Sequence, residues 1–321
     1  MDYYRKLAIG IVLTLLFVTP AAAWDEVGHK ITGYIAWQRM SPTARDNVIK
    51  ILRAAPEDSH LSAFYMNYGV SPVEVRRLEY FMLVPTWADI VRDRDFPVRF
   101  KTYHRSNWHY ADTFWRQIDG KAQIITDRKG DGQGLIKLIE FDKVMRDPAV
   151  PAPEKAIALA WFLHIGGDLH QPLHTSGRHT DREPTGDLGG NLFLLTPEGT
   201  PREQQENLHW FWDNIVPRNI PMTPADQSER RYLEFVSNAM MHRYPFDALK
   251  DSLKLGDLTA WRQETFELAP VAVFTPDLVR FQTPYAEYRR NAFRVAERQL
   301  TLAGYRMGET LEQIFGNAQQ N

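Results

Sequence analysis

WFLHIGGDLHQPLH, residues 161–174, is the stretch on which the reading of this chain turns. Trp161, Phe162, Leu163 and Ile165 continue an apolar pattern at three- and four-residue spacing that begins at Pro153, so 153–167 predicts a helix. On it His164 and Asp168 stand four residues apart and share one face, where both can point at a single object. His174 follows six residues later, beyond Pro172. The arrangement returns in NLHWFWD, residues 207–213, as His209 and Asp213. Two such pairs on apolar, tryptophan-rich segments are costly to bury as bare polar groups, and a divalent cation supplies the compensation.

The helical spacing extends outward in both directions. After Gly28, residues 29–40 set Ile31, Tyr34, Ile35 and Gln38 near one face, and Ser41-Pro42 supplies a cap and a first-turn proline for a helix through Leu52. Ser71-Pro72 repeats that start signal, and 134–145, 224–241 and 276–308 carry the same periodicity. Strand signals are few: 123–126, and 191–196 entered through the turn Asp187-Leu188-Gly189-Gly190. No long linker and no fixed repeat divides the chain. The expectation is a mostly α, single-domain protein with a short β-hairpin.

Composition narrows the chemistry. The 321 residues are 44% hydrophobic and 24% charged, with Lys+Arg 38 against Asp+Glu 40, as in an ordinary globular protein. The absence of cysteine excludes disulfides, thiolate metal sites and cysteine nucleophiles, so any metal is held by nitrogen and oxygen. A formal charge of -2 rules out a chain-wide basic excess but leaves room for a local positive site. Arg5 and Lys6, the apolar run Leu7 to Val18, Pro20 and Ala21-Ala22-Ala23 have the layout of a secretory signal peptide, too short to span a bilayer. Cleavage after Ala23 makes Trp24 the mature N-terminus, removes Asp2, Arg5 and Lys6, and moves the formal charge from -2 to -3. The domain division is thus 1–23, leader, and 24–321.

Two further segments join the histidine and aspartate pattern: PTWADIVRD, with Asp89 and Arg92, and NWHYAD, with His109 and Asp112. Taken singly, each group has a plainer reading. A lone His-x-x-x-Asp pair is ordinarily a surface or satisfied core pair, Asp89 a helix-start residue, and His109 a hydrogen-bonded core histidine. His60, His104, His170, His179 and His242 lack a partner at useful spacing and read as structural or exposed, and Asp112 as a supporting or structural residue.

Co-occurrence in order changes the weighting. WDEVGH (24–29), WAD (87–89), WHYAD (108–112), FLHIGGDLHQPLH (162–174), GGN (189–191) and NLHWFWD (207–213) together resemble the zinc-dependent type I, or S-one/P-one, single-strand nucleases secreted by fungi, plants and bacteria. A bacterial member, secreted or periplasmic, is the expectation. The resemblance implies a helical fold related to zinc-dependent phospholipase C and three zinc ions. Asp89, His109, His164 and Asp168 would hold the first; His174, His209 and Asp213 the second; the amine and carbonyl of Trp24, with His29 and again Asp168, the third. Nitrogen and oxygen donors of these kinds suit Zn²⁺. Three Zn²⁺ against the charges of Asp89, Asp168 and Asp213 leave the site near +3, which attracts phosphodiesters to an acidic protein.

The implied reaction is metal-assisted hydrolysis of single-stranded DNA and RNA to 5′-phosphate products, with 3′-nucleotidase activity on the same P–O3′ bond. Asp89 would orient the attacking water and Arg92 would meet charge developing on the phosphate. Asn191, behind two glycines that permit close backbone approach, matches a substrate-binding position, against a simple hairpin turn. Trp108, Phe193 and Trp210 are candidate base platforms that sequence does not separate from core. The fungal enzymes' disulfides are absent here. A phospholipase C acting on lipid headgroups is the alternative enzyme, and a non-catalytic metal-binding protein the alternative outside enzymes. The expected form is a monomer without stable membrane association.

Overall fold

Asp25 starts the first helix: its carboxylate accepts from the Gly28 N–H at 2.9 Å, and α1 runs Glu26–Arg39. The computed structural model describes residues 24–65, 71–119 and 121–317, so the leader expected at 1–23 lies outside the described residues. Ser41 caps α2 (Pro42–Arg53) as its Ser-Pro signal predicts. The helices that follow are α3 (Val73–Leu83), α4 (Trp87–Ile90), α5 (Pro97–Tyr103), α6 (Gly134–Arg146), α7 (Ala152–Asp168), α8 (Leu208–Asp213) and α9 (Ile215–Asn219). The C-terminal third adds α10 (Glu229–Arg243), α11 (Phe246–Leu249), α12 (Leu258–Leu268) and α13 (Ala286–Phe315). None of the described helices is long and apolar enough to cross a membrane.

Two helices form the centre. In α7 every residue from Ala158 to Asp168 is buried, and in α1 every residue from Gly28 to Trp37, so both are covered on all sides. Between them lie two apolar clusters, one around Trp87 and Trp161, the other around Trp24, Trp212 and the inner face of α13. α13 lies along α1, and at Gly304 an added Cβ would stand 2.5 Å from Ile35 Cβ, so glycine sets how closely the two helices approach.

The sheet departs from expectation in its extent. β1 (Thr113–Ile118) and β2 (Lys121–Ile124) form the expected hairpin, with Ile118 opposite Lys121, and β3 (Ser176–Arg178) joins β1 in parallel through Thr113 opposite Ser176. The strand expected at 191–196 does not form; only an isolated bridge joins Leu194 to Asn207. Leu188, Gly189 and Gly190 all have positive φ, and a chain turning this tightly enters no extended pairing before Pro197. The helix expected from Pro224 begins as a 3₁₀ turn, Pro224–Asp226, with α10 starting after Ser228; that expected from Pro276 starts ten residues later and runs on to Phe315.

Candidate metal centre

α7 delivers His164 and Asp168 to one point, as their spacing predicts, and the short helix α4 and the segment before β1 bring Asp89 and His109 to meet them. His109 Nδ1 lies 2.7 Å from His164 Nε2, 3.3 Å from Asp168 Oδ2 and 3.8 Å from Asp89 Oδ1. His164 Nε2 is 3.1 Å from Asp168 Oδ2 and 3.9 Å from Asp89 Oδ1. Four donors held tetrahedrally at about 2.0–2.1 Å from Zn²⁺ would stand roughly 3.3 Å apart, the middle of this spread. The other oxygen of Asp168, Oδ1, faces His29 Nε2 at 3.2 Å. One carboxylate therefore presents its two oxygens to two different donor groups.

α8 builds the second group. His209 Nε2 and Asp213 Oδ2 are 3.3 Å apart, and His174 Nε2, carried on the 3₁₀ turn after Gln171, is 3.7 Å from Asp213 Oδ1. Trp24 is fully buried, its indole N–H donating to the Gly167 carbonyl at 3.0 Å, and the next residue's N–H donates to the Asp213 carbonyl at 2.9 Å. The backbone of Trp24 is thus pinned where α7 and α8 come together.

Ring orientation is fixed from behind. His164 Nδ1 donates to the Pro85 carbonyl at 2.6 Å, His174 Nδ1 to the His109 carbonyl at 2.8 Å, and His209 Nδ1 to the Gly189 carbonyl at 2.7 Å. An imidazole whose Nδ1–H is so engaged offers the lone pair of Nε2 to a metal. Gln171 does the same for a carboxylate, donating to Asp213 Oδ1 at 2.8 Å, a role that its place in the HQPLH run did not disclose.

Electrostatics favour a cation. Burial pushes Asp168 up and Asp213 well up, and pushes His29, His164 and His174 down and His109 well down. At Asp89 burial acts upward too, but His164 and Arg92 outweigh it and hold the carboxyl below its ordinary value. Both oxygens of Asp168, Oδ2 of Asp213 and Nε2 of His29 and His174 are buried and satisfied by no hydrogen bond. Buried acceptors converging without donors are what a divalent ion would complete.

Beside the donor groups opens a cleft of about 200 Å³, lined in part by Arg92, Tyr110, Asp112, Leu188, Gly189 and Asn191. Arg92 faces inward rather than belonging to the solvated charge run: it is 13% exposed and its guanidinium lies 3.0 Å from Asp89 Oδ1. Asn191 donates one amide hydrogen to the Leu188 carbonyl at 2.8 Å, which secures the turn, and sits at the rim with the second amide hydrogen in reserve. Asp112 lines the cleft with its carboxyl pushed well up by burial and by the neighbouring charge of Asp187. Of the candidate platforms, Phe193 is core, Trp108 packs partly buried against the core around Trp161, and Trp210 is 47% exposed. His170 is structural, bonded to the Gly166 carbonyl and to Arg306, while His242 is exposed.

Comparison with known proteins agrees with this geometry. The chain is 20% identical to nuclease P1 of Penicillium citrinum over 92% of its own length and 98% of the relative's, and 22% identical to nuclease S1 of Aspergillus oryzae over 94% and 95%. Endonuclease 2 of Arabidopsis thaliana is 22% identical over 95% of the chain and 96% of the relative. The profile of the family described as S1/P1 Nuclease matches residues 24–316, from the buried tryptophan to the end of the last helix. By sequence order, helical architecture and this match across nearly its whole length, the chain belongs to the S1/P1 nuclease family.

Proposed function

We propose that the protein is a zinc-dependent phosphodiesterase that hydrolyses single-stranded DNA and RNA to 5′-phosphate products and removes 3′-phosphates from nucleotides. Support comes chiefly from one observation: buried carboxylate oxygens and imidazole nitrogens converge in adjoining groups, unsatisfied by hydrogen bonds, at the floor of a cleft that Arg92 enters. Asp89, His109, His164 and Asp168 would hold one ion, His174, His209 and Asp213 a second, and Trp24, through its amine and carbonyl, with His29 and Asp168, a third. When bound, zinc ions supply Lewis acidity and bring the pKa of water from 15.7 to about 7.

The chain's own groups do the rest. Asp89 orients the attacking water, its carboxylate held by Arg92. Arg92 meets the charge that grows on phosphorus-bound oxygens as the new P–O bond forms and the P–O3′ bond breaks, and the 3′ oxygen leaves as a hydroxyl. Asn191 contacts the substrate at the rim. Single strands are preferred because unstacked nucleotides can seat a phosphate at the floor of a recessed cleft. The active form begins at Trp24 after export and removal of 1–23, acts in a secreted or periplasmic location, and is a monomer.

The test sets single-stranded DNA, RNA, 3′-AMP and phosphatidylcholine side by side before zinc-loaded protein starting at Trp24. Cleavage of the first three with 5′-phosphate and 3′-hydroxyl ends is expected. Turnover of phosphatidylcholine alone would assign the site to the lipid-directed enzymes with which this helical fold is shared.

A further inference from the structure

α8 touches more than the metal groups. His209 and Asp213 face the donor cluster, Trp210 stands at the surface, and Phe211, roughly 200° round the helix from His209, lines a second cavity of about 450 Å³. Arg218, Asn219, Arg289 and Arg290 line that cavity with Glu206. Arg218 is engaged by Glu206 and Asn214. Arg289 and Arg290, both exposed, pair with no carboxylate among the described residues. Three guanidinium groups against one carboxylate is a concentration of positive charge in a chain of formal charge -2. The cavity is also tied to the metal helix: the Trp212 indole donates to the Tyr288 hydroxyl at 3.0 Å, which joins the residue before Asp213 to the residue before Arg289.

Resting on the nuclease reading above, we infer that this cavity is an exosite that takes a backbone phosphate of the same single strand a few nucleotides from the one being cut. Guanidinium groups engage phosphate oxygens in pairs, and two exposed arginines with no internal partner give up little to do so. The strand passes from the cleft around the exposed side of α8, where Trp210 offers an aromatic face to a base. A 3′-mononucleotide fills the cleft and never reaches the arginines. The exosite therefore raises affinity for long strands alone.

The experiment compares the parent with the double variant Arg289→Ser/Arg290→Ser on a twenty-residue oligothymidylate and on 3′-AMP, both with zinc-loaded protein. Expected are a KM for the oligonucleotide raised about tenfold, a salt dependence shallower by about 1.4 in log–log slope at roughly 0.7 per lost phosphate contact, and unchanged kcat/KM for 3′-AMP. An unchanged KM for the oligonucleotide, or an equal fall in kcat/KM on both substrates, overturns the inference. Should the parent cleave neither substrate, the nuclease reading fails separately. Fluorescence anisotropy of labelled oligothymidylate on the same proteins then decides for the exosite, weaker binding by the variant supporting it and equal affinity overturning it.

Discussion

Arg92 and Asp187 show how a residue's surroundings assign its work. Arg92 was legible only as a cation one turn after Asp89, equally suited to a charged surface run; the structure turns it into the cleft against that carboxylate. Arg92→Ala is expected to lower kcat about a hundredfold with zinc content and fold intact, because a cation that meets developing charge acts mainly in the transition state. Steady-state kinetics beside metal analysis check this, and a loss of zinc would make Arg92 an assembly residue instead. Asp187, 1% exposed, was legible only as a turn residue. Burial raises its carboxyl to about 6, although the N–H groups of Arg178 and Gly190 oppose the rise. The unfolded chain loses this proton first as pH rises from about 4, so native stability falls until the folded group ionises near 6 and is level above. Asp187→Asn keeps an acceptor and removes the titration. Its stability relative to the parent should therefore rise by up to about 3 kcal/mol between pH 4 and 6, at roughly 1.4 kcal/mol per pKa unit. Melting curves of both proteins across that window would read a constant difference if Asp187 is ionised throughout.

At the scale of elements, what was legible followed from periodicity, and what was not followed from tertiary partners. α1, α2, α6 and α7 lie close to the expected spans because capping residues and apolar spacing act within the segment itself. The 188–196 segment read as a strand from composition, yet its backbone serves the site: the Gly189 carbonyl accepts from His209, and the turn that aims it has no extended partner. Gly189 has φ +60, and an added Cβ would lie 2.5 Å from the Leu173 carbonyl oxygen. Gly189→Ala should cost about 1–2 kcal/mol in backbone conformation alone, and more as the carbonyl moves. Weaker metal retention, by about 10- to 100-fold, should follow at the group formed by His174, His209 and Asp213. Chelator competition monitored for metal release checks it, and parental retention would show that the Gly189–His209 bond does not orient the ligand. The ligands themselves were legible from order and spacing, whereas the carbonyls of Pro85, His109 and Gly189 and the amide of Gln171 were not, since no local pattern marks a backbone group that a distant histidine will use.

At the scale of the whole molecule, the C-terminal third carried no motif, and the structure gives it work. α13 lies along α1, and its Tyr288 bonds the Trp212 indole beside Asp213, so the last helix braces both ends of the donor set. The central claim is that these helices gather Trp24, His29, Asp89, His109, His164, Asp168, His174, His209 and Asp213 into a single three-zinc centre. Native mass spectrometry of protein beginning at Trp24 tests it most directly. The account predicts close to three zinc ions per chain, more than one ion lost in Asp168→Ala because that carboxylate serves two groups, and no loss in His242→Ala. One ion or none in the parent protein, with Asp168→Ala indistinguishable from it, would contradict the account and leave the histidine and aspartate groups as structure alone.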